Sequence, residues 1–182
     1  MRIFADLYPG EVKGLVLVDP DPTDVGTPAQ IGHAHSVYIH QALEIQRCGD
    51  ALRAHLPQPP ELACDKRFFR GFPEPGWSAP LNAALAEAVH TRSDLSDAAN
   101  AELVEIPEDE LWLREHRQSL GSRSVRVITA AQHKAETIAA QAALLSISSN
   151  AKQILARHSR NAYVQFDEPE LVLQAIREAA GK

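Results

Sequence analysis

Apolar residues in this chain gather into three short, nearly continuous runs, and elsewhere they recur at steps of three and four. The run "VKGLVLVD", Val12 to Asp19, is rich in β-branched residues and predicts a strand covered on both faces, as in a parallel sheet. "SVRVITA", Ser124 to Ala130, predicts a second strand, and "AKQILAR", Ala151 to Arg157, a third and weaker one. Residues 2–8 read as the last turns of a helix that the chain enters part-way, closed by Pro9 and Gly10. From His35 to Leu56, the positions Tyr38, Ala42, Ile45, Cys48, Leu52 and Leu56 form one apolar stripe of a helix, which Gly49 weakens locally.

Prolines at 57, 59, 60, 73, 75 and 80 punctuate the next stretch around a short helical piece near Leu62 to Phe69, and Leu81 to His90 reads as another helix. The polar stretch "TRSDLSDAAN" reads as a connection into further helical sequence ending near Arg117. Ala135 to Ser146 predicts an alanine-rich helix. The last helix has Asp167 as its cap, Pro169 in its first turn, and Leu171, Val172, Ala175, Ile176 and Ala179 on one face. Strand, helices, strand, helix, strand, helix is the order of an α/β fold with a thin parallel sheet of about three strands. Residues 31–118 then form a helical insertion within a single domain spanning 1–182.

Composition narrows the partners. A formal charge of −6, with no basic cluster interleaved with aromatics, disfavours nucleic acid. The apolar runs fall far short of the roughly 20 residues that span a bilayer, and no basic, apolar, small-residue leader opens the chain, so the expectation is a cytoplasmic protein away from membranes. Cys48 and Cys64 make neither a CxxC pair nor a disulfide-dense pattern, and with both in helical sequence they read as buried thiols.

Arg2 to Pro20, "RIFADLYPGEVKGLVLVDP", resembles the segment that follows the nucleophile in α/β-hydrolase-fold enzymes of the esterase-like group, and "SVRVITAA" resembles their seventh strand. Gln141 to Ile176 resembles the final helix, strand, histidine loop and helix of that family. The resemblance implies a partial α/β-hydrolase fold, residues 31–118 as a lid, and hydrolysis of an ester or related acyl substrate with no cofactor. It also implies where the catalytic groups belong. No G-x-S-x-G occurs, and the nearest approach, "GWSAP" at Gly76 to Pro80, follows no strand, so the serine elbow is expected before Met1. Asn161, in "SRN", stands in the position of the histidine, and an amide cannot take and return a proton near neutral pH as imidazole does. His158 lies three residues earlier and reads as an ordinary loop histidine.

The acid is the member of the triad that the resemblance keeps. It points to Asp19, with Asp21 and Asp24 as less favoured neighbours; without it, Asp19 reads as a loop-initiating aspartate bonding nearby backbone N–H groups. The chain is therefore expected to be inactive by itself, with an ester substrate only where the N-terminal half is present. The alternative is a non-catalytic interaction module that pairs through an exposed sheet edge, with a second copy or a complementary fragment as its partner.

Three other groupings carry weaker signals. His33 and His35 in "GHAHSVYIH" suit one side of a strand, but His35 and His40 do not share a helix face and no HExxH or Cys partner is near, so they read as exposed lid histidines and no metal is expected. Glu108, Asp109 and Glu110 read as a solvated helix start. Phe68, Phe69, Phe72 and Trp77 either line an acyl pocket or pack the lid on the sheet.

Overall fold

The computed structural model describes residues 1–64, 78–159 and 163–181. Its sheet has three parallel strands in the order β1-β2-β3: β1 Gly14–Val18, β2 Ser124–Ala130 and β3 Asn150–Ala156. Gly14 pairs with Ser124, and Ser124 in turn with Asn150, so the strands start in step. All three therefore end on the same carboxyl edge.

Among the described residues the helices are α1 Arg2–Leu7, α2 Pro28–Arg53, α3 Ala79–Thr91, α4 Ser93–His116, α5 Ala135–Ala143, α6 Val164–Asp167 and α7 Pro169–Ala179, with 3-10 turns at Thr23–Val25, Pro60–Leu62 and Leu144–Ile147. Most predicted elements are found within a few residues of their expected limits, and α2 starts seven residues earlier than its pattern suggested. "TRSDLSDAAN" needs correction. Apart from Thr91 and Arg92 it belongs to α4, a single helix that continues through Pro107, so Glu108 to Glu110 lie well inside a helix and not at its start. Asp167 ends the short α6, and Glu168 occupies the cap position of α7.

The chain divides into two compact units, residues 1–31 with 110–182, and residues 32–109. In the first, the two faces of the sheet carry separate cores. Leu15, Leu17, Val125 and Val127 pack with Ala5, Leu120, Leu144 and Ile147 on one face. Val16, Val18, Ile128 and Ile154 pack on the other with Val164, Leu171, Val172 and Ala175. This alternation follows from the period of two along each strand, and burial on both faces explains why the runs are continuously apolar. Gly14 is set by close packing, since a Cβ there would lie 2.4 Å from the carbonyl oxygen of Ala179 in α7.

Arg126 projects from the middle of β2 onto α7. Its Nε donates to Glu178 Oε2 at 2.8 Å, while Nη1 donates to the carbonyls of Val125 and Asn150. The hydrogen bond from Arg126, with a second from Gln174, holds the Glu178 carboxyl below its ordinary value. Asp6 shifts the other way: burial raises its pKa, although the Gln118 N–H and the charges of Arg2 and Arg117 oppose the shift.

These two shifts act oppositely on stability. The Glu178 contribution is complete above its unfolded value near 4.5 and is lost as pH falls through the lower folded value. The Asp6 contribution is complete below its unfolded value near 3.8 and is lost as pH rises through the higher folded value. Melting curves from pH 7 to pH 3 should therefore show Glu178→Gln less stable than wild type at neutral pH and Asp6→Asn more stable. Both differences should close in acid.

In the unit of residues 32–109, Cys48 and Cys64 form a disulfide, with Cα atoms 6.0 Å apart, buried with Leu62 and Val89. This corrects the expectation of free thiols. Cys64 follows the Pro60–Leu62 turn, and the proline-rich return of the chain brings it back onto α2. Gly49 has a packing role as well, since a Cβ there would lie 2.6 Å from the Ser96 Cβ of α4. No helix among the described residues is long and apolar enough to cross a membrane.

Candidate functional site

Parallel sheets present chemistry where the strands end, because the loops there diverge and leave a crevice. Asp19 directly follows β1 and takes φ = 45°, the left-handed region that aspartate tolerates better than most residues with a Cβ. Its N–H still donates to the Ile128 carbonyl at 2.7 Å, so the residue stays tied to β2 while the chain turns away.

The Asp19 carboxylate is almost fully buried and gathers three donors. His133 Nε2 lies 2.7 Å from Oδ1, Gln141 Nε2 lies 3.1 Å away, and the Ala130 N–H makes a longer contact of 3.4 Å. Gln141 Nε2 also donates to the Pro20 carbonyl at 2.8 Å. Two acceptors on one amide nitrogen fix the orientation of Gln141, and Gln141 in turn holds the start of the loop against α5.

His133 comes from the loop after β2, and its N–H donates to Ala130 O. With its Nε2–H directed at a buried carboxylate, the neutral ring keeps its lone pair on Nδ1; Asp19 thus fixes both ring orientation and tautomer. An open cleft of about 440 Å³ lies beside the pair, lined also by Asp21, Gln30, Glu136 and Thr137. A carboxylate that orients an imidazole is the supporting half of a proton-transfer device.

The loop after β3 emerges on the same edge. The His158 and Ser159 N–H groups both donate to Glu168 Oε1, at 2.8 and 3.0 Å, so Glu168 ties this loop to the start of α7. Asn161, the residue expected in the histidine position, lies outside the described residues, as do Phe68, Phe69, Phe72 and Trp77. Comparison with family models, curated proteins and solved structures finds no match to this chain. The site therefore stands on its own geometry.

Of the other acidic candidates, Asp21 lines the cleft, whereas Asp24 serves structure. Arg2 grips Asp24 through both carboxylate oxygens, at 2.7 and 2.5 Å, and Arg117 pairs with Oδ2 as well. His33, His35 and His40 all lie on α2, where His40 Nε2 is 3.5 Å from Glu44 Oε1; no group of metal-binding side chains forms among the described residues. Sequence reasoning missed His133, Gln141 and Glu168. The available signal for His133 was its place in the loop directly after a predicted buried strand.

Proposed function

We propose that this chain carries the acid-bearing part of an α/β-hydrolase-like esterase site, with Asp19 as the carboxylate that orients an imidazole. The observation that carries this reading is Asp19 itself, left-handed at the carboxyl end of a parallel strand and already 2.7 Å from an imidazole nitrogen. The β1-β2-β3 order and the anchored loop after β3 support it as well. In this reading residues 31–118 are the lid-like insertion, and the substrate class is a carboxylic ester with no cofactor.

The chemistry needs three acts: a serine attacks the acyl carbon, a histidine takes its proton, and a carboxylate steadies the imidazolium. Asp19 supplies the third. Asn161 withholds the second at the position that the resemblance gives to the base, because its amide has no lone pair basic enough to accept the proton, and the imidazole Asp19 holds instead is His133 of the loop after β2. The chain by itself therefore leaves p-nitrophenyl acetate at the rate of an unfolded-protein control, and a fluorophosphonate probe does not label it. Saturable turnover or serine labelling would overturn this.

Asn161→His gives the positive arm of the test. It should add a downfield imidazole N–H resonance that disappears in Asn161→His/Asp19→Asn. If that resonance fails to appear, or is indifferent to Asp19, position 161 does not address the acid. A second reading, a module that pairs through its sheet edge, is favoured by the open side of β1.

A further inference from the structure

The free side of β1 is a slot with backbone at its base and a helix on each wall. Asp19 donates to β2, and alternate residues of a strand turn their backbone groups to opposite sides, so Gly14, Val16 and Val18 turn theirs away from β2. None of these groups finds a hydrogen-bond partner on that side among the described residues. Phe4 and Ala5 of α1 line one wall, and Ile176 and Ala179 of α7 line the other, around a groove of about 770 Å³. Met1, Phe4 and Ile176 expose 92%, 49% and 48% of their surface there.

The topology gives the direction of what fits. Between β2 and β3 the chain crosses on the face that holds Leu144 and Ile147, moving one strand further from β1. α1 leads into β1 on that same face, through Ala5. Crossovers between parallel strands are right-handed, and with α1 on this face the handedness of the β2-to-β3 crossover leaves the far side of β1 as the place where a further parallel strand fits.

We propose that this slot docks a single extended segment of a separate polypeptide, apolar at alternate positions, added to the sheet parallel to β1. Its alternate side chains would meet Phe4 and Ala5 on one face and Ile176 and Ala179 on the other, while its backbone pairs with Gly14, Val16 and Val18. Area argues for a strand over a second copy. The three exposed side chains amount to roughly 400 Å², taking ~200 Å² for a fully exposed large side chain, about half of the ~800 Å² per partner that stable dimers bury. An inserted strand adds a ladder of backbone hydrogen bonds that face-to-face contact lacks. The inference deepens the edge-pairing reading and does not use the esterase one.

The probe is a fluorescein-labelled peptide with the β2 sequence SVRVITA, which β1 already accepts in parallel on its other side. Fluorescence anisotropy should saturate in the micromolar range. Val16→Pro removes an outward N–H yet leaves the β2 ladder intact, as proline at a sheet edge allows, and should weaken binding by roughly tenfold or more. Circular dichroism checks that this variant folds. If it does not, the wild-type protein with a peptide N-methylated along one edge makes the same test, with the same loss expected.

A photo-crosslinker on the peptide N-terminus should label residues 11–13; labelling near residues 19–20 would mean antiparallel addition and overturn the proposed direction. Peptide binding indifferent to both Val16→Pro and N-methylation would overturn strand addition. Self-association, measured by light scattering and abolished by Val16→Pro, without peptide binding, would overturn the strand as occupant but keep the edge-pairing reading. A monodisperse monomer that binds no peptide would overturn both.

Discussion

Replacing Asp24 with alanine is expected to cost about 3 kcal/mol of folding free energy, the low end of the range for breaking a buried ion pair. Its side chain is 1% exposed and lies between two guanidinium groups, Arg2 at 11% and Arg117 at 26%. The three residues belong to separate stretches of chain, the first helix, the 3-10 turn after β1 and the segment after α4, and the carboxylate is what joins them. Without it, two partly desolvated cations face each other. The low end applies because Arg117 can still reach water. Urea denaturation of the isolated chain measures the loss.

A triple replacement, Arg2→Met with Asp24→Leu and Arg117→Met, should recover most of that loss, because removing all the charges leaves no uncompensated one behind. If the triple variant is as weak as Asp24→Ala, the defect comes from lost shape and not from unpaired charge. If Asp24→Ala changes stability by less than about 1 kcal/mol, the triad contributes no more than an exposed surface pair.

The second large effect concerns the disulfide. Cys48 and Cys64 are 16 residues apart, and closing a loop of that size stabilises by about 3 kcal/mol, chiefly by restricting the unfolded chain. Cys48→Ala/Cys64→Ala should lose about that much while the buried contacts with Leu62 and Val89 change little. Dithiothreitol on the wild-type chain should produce a similar fall in melting temperature and have no effect on the double variant. A wild-type melt insensitive to reductant would show that the bond does not form in solution.

The disulfide also bears on where the protein works. Such bonds persist in oxidising compartments and are rare in the cytosol. The cytoplasmic expectation rested on the short apolar runs and the opening residues, and the cysteines added little to it. The reductant experiment on protein purified without added oxidant tests the point directly.

How much of this was legible depends on how local the governing physics is. The three strands were readable because burial on both faces of a parallel sheet demands unbroken apolar runs, a property of a few consecutive residues. Helix α7 was readable from its stripe, and its start was read one residue early because Asp167 and Glu168 are both acidic and only the fold shows which one turns back to the His158 loop. The polar stretch entering α4 was misread because its surface-facing residues carry no periodic apolar signal, although Ser96, against Gly49, is among the best-buried positions of the chain.

At the candidate site the divide is sharper. Asp19 was found because it directly follows a strong strand signal. Its partners were not, since His133 and Gln141 lie 114 and 122 residues away and only the pairing of β1 with β2 brings the first beside it. Cys48 and Cys64 follow the same rule at shorter range: the proline-rich turn sets their approach, and no spacing rule for sixteen residues specifies it.

The sequence by itself determined the strands, most of the helices, the α/β order and the carboxylate at the end of β1, because each follows from burial or turn chemistry within a short window. The tertiary structure alone decided which imidazole Asp19 holds, which arginines hold Asp24 and that the cysteines join. Each of these depends on distances between residues far apart in the chain, which pairing and packing fix and composition does not.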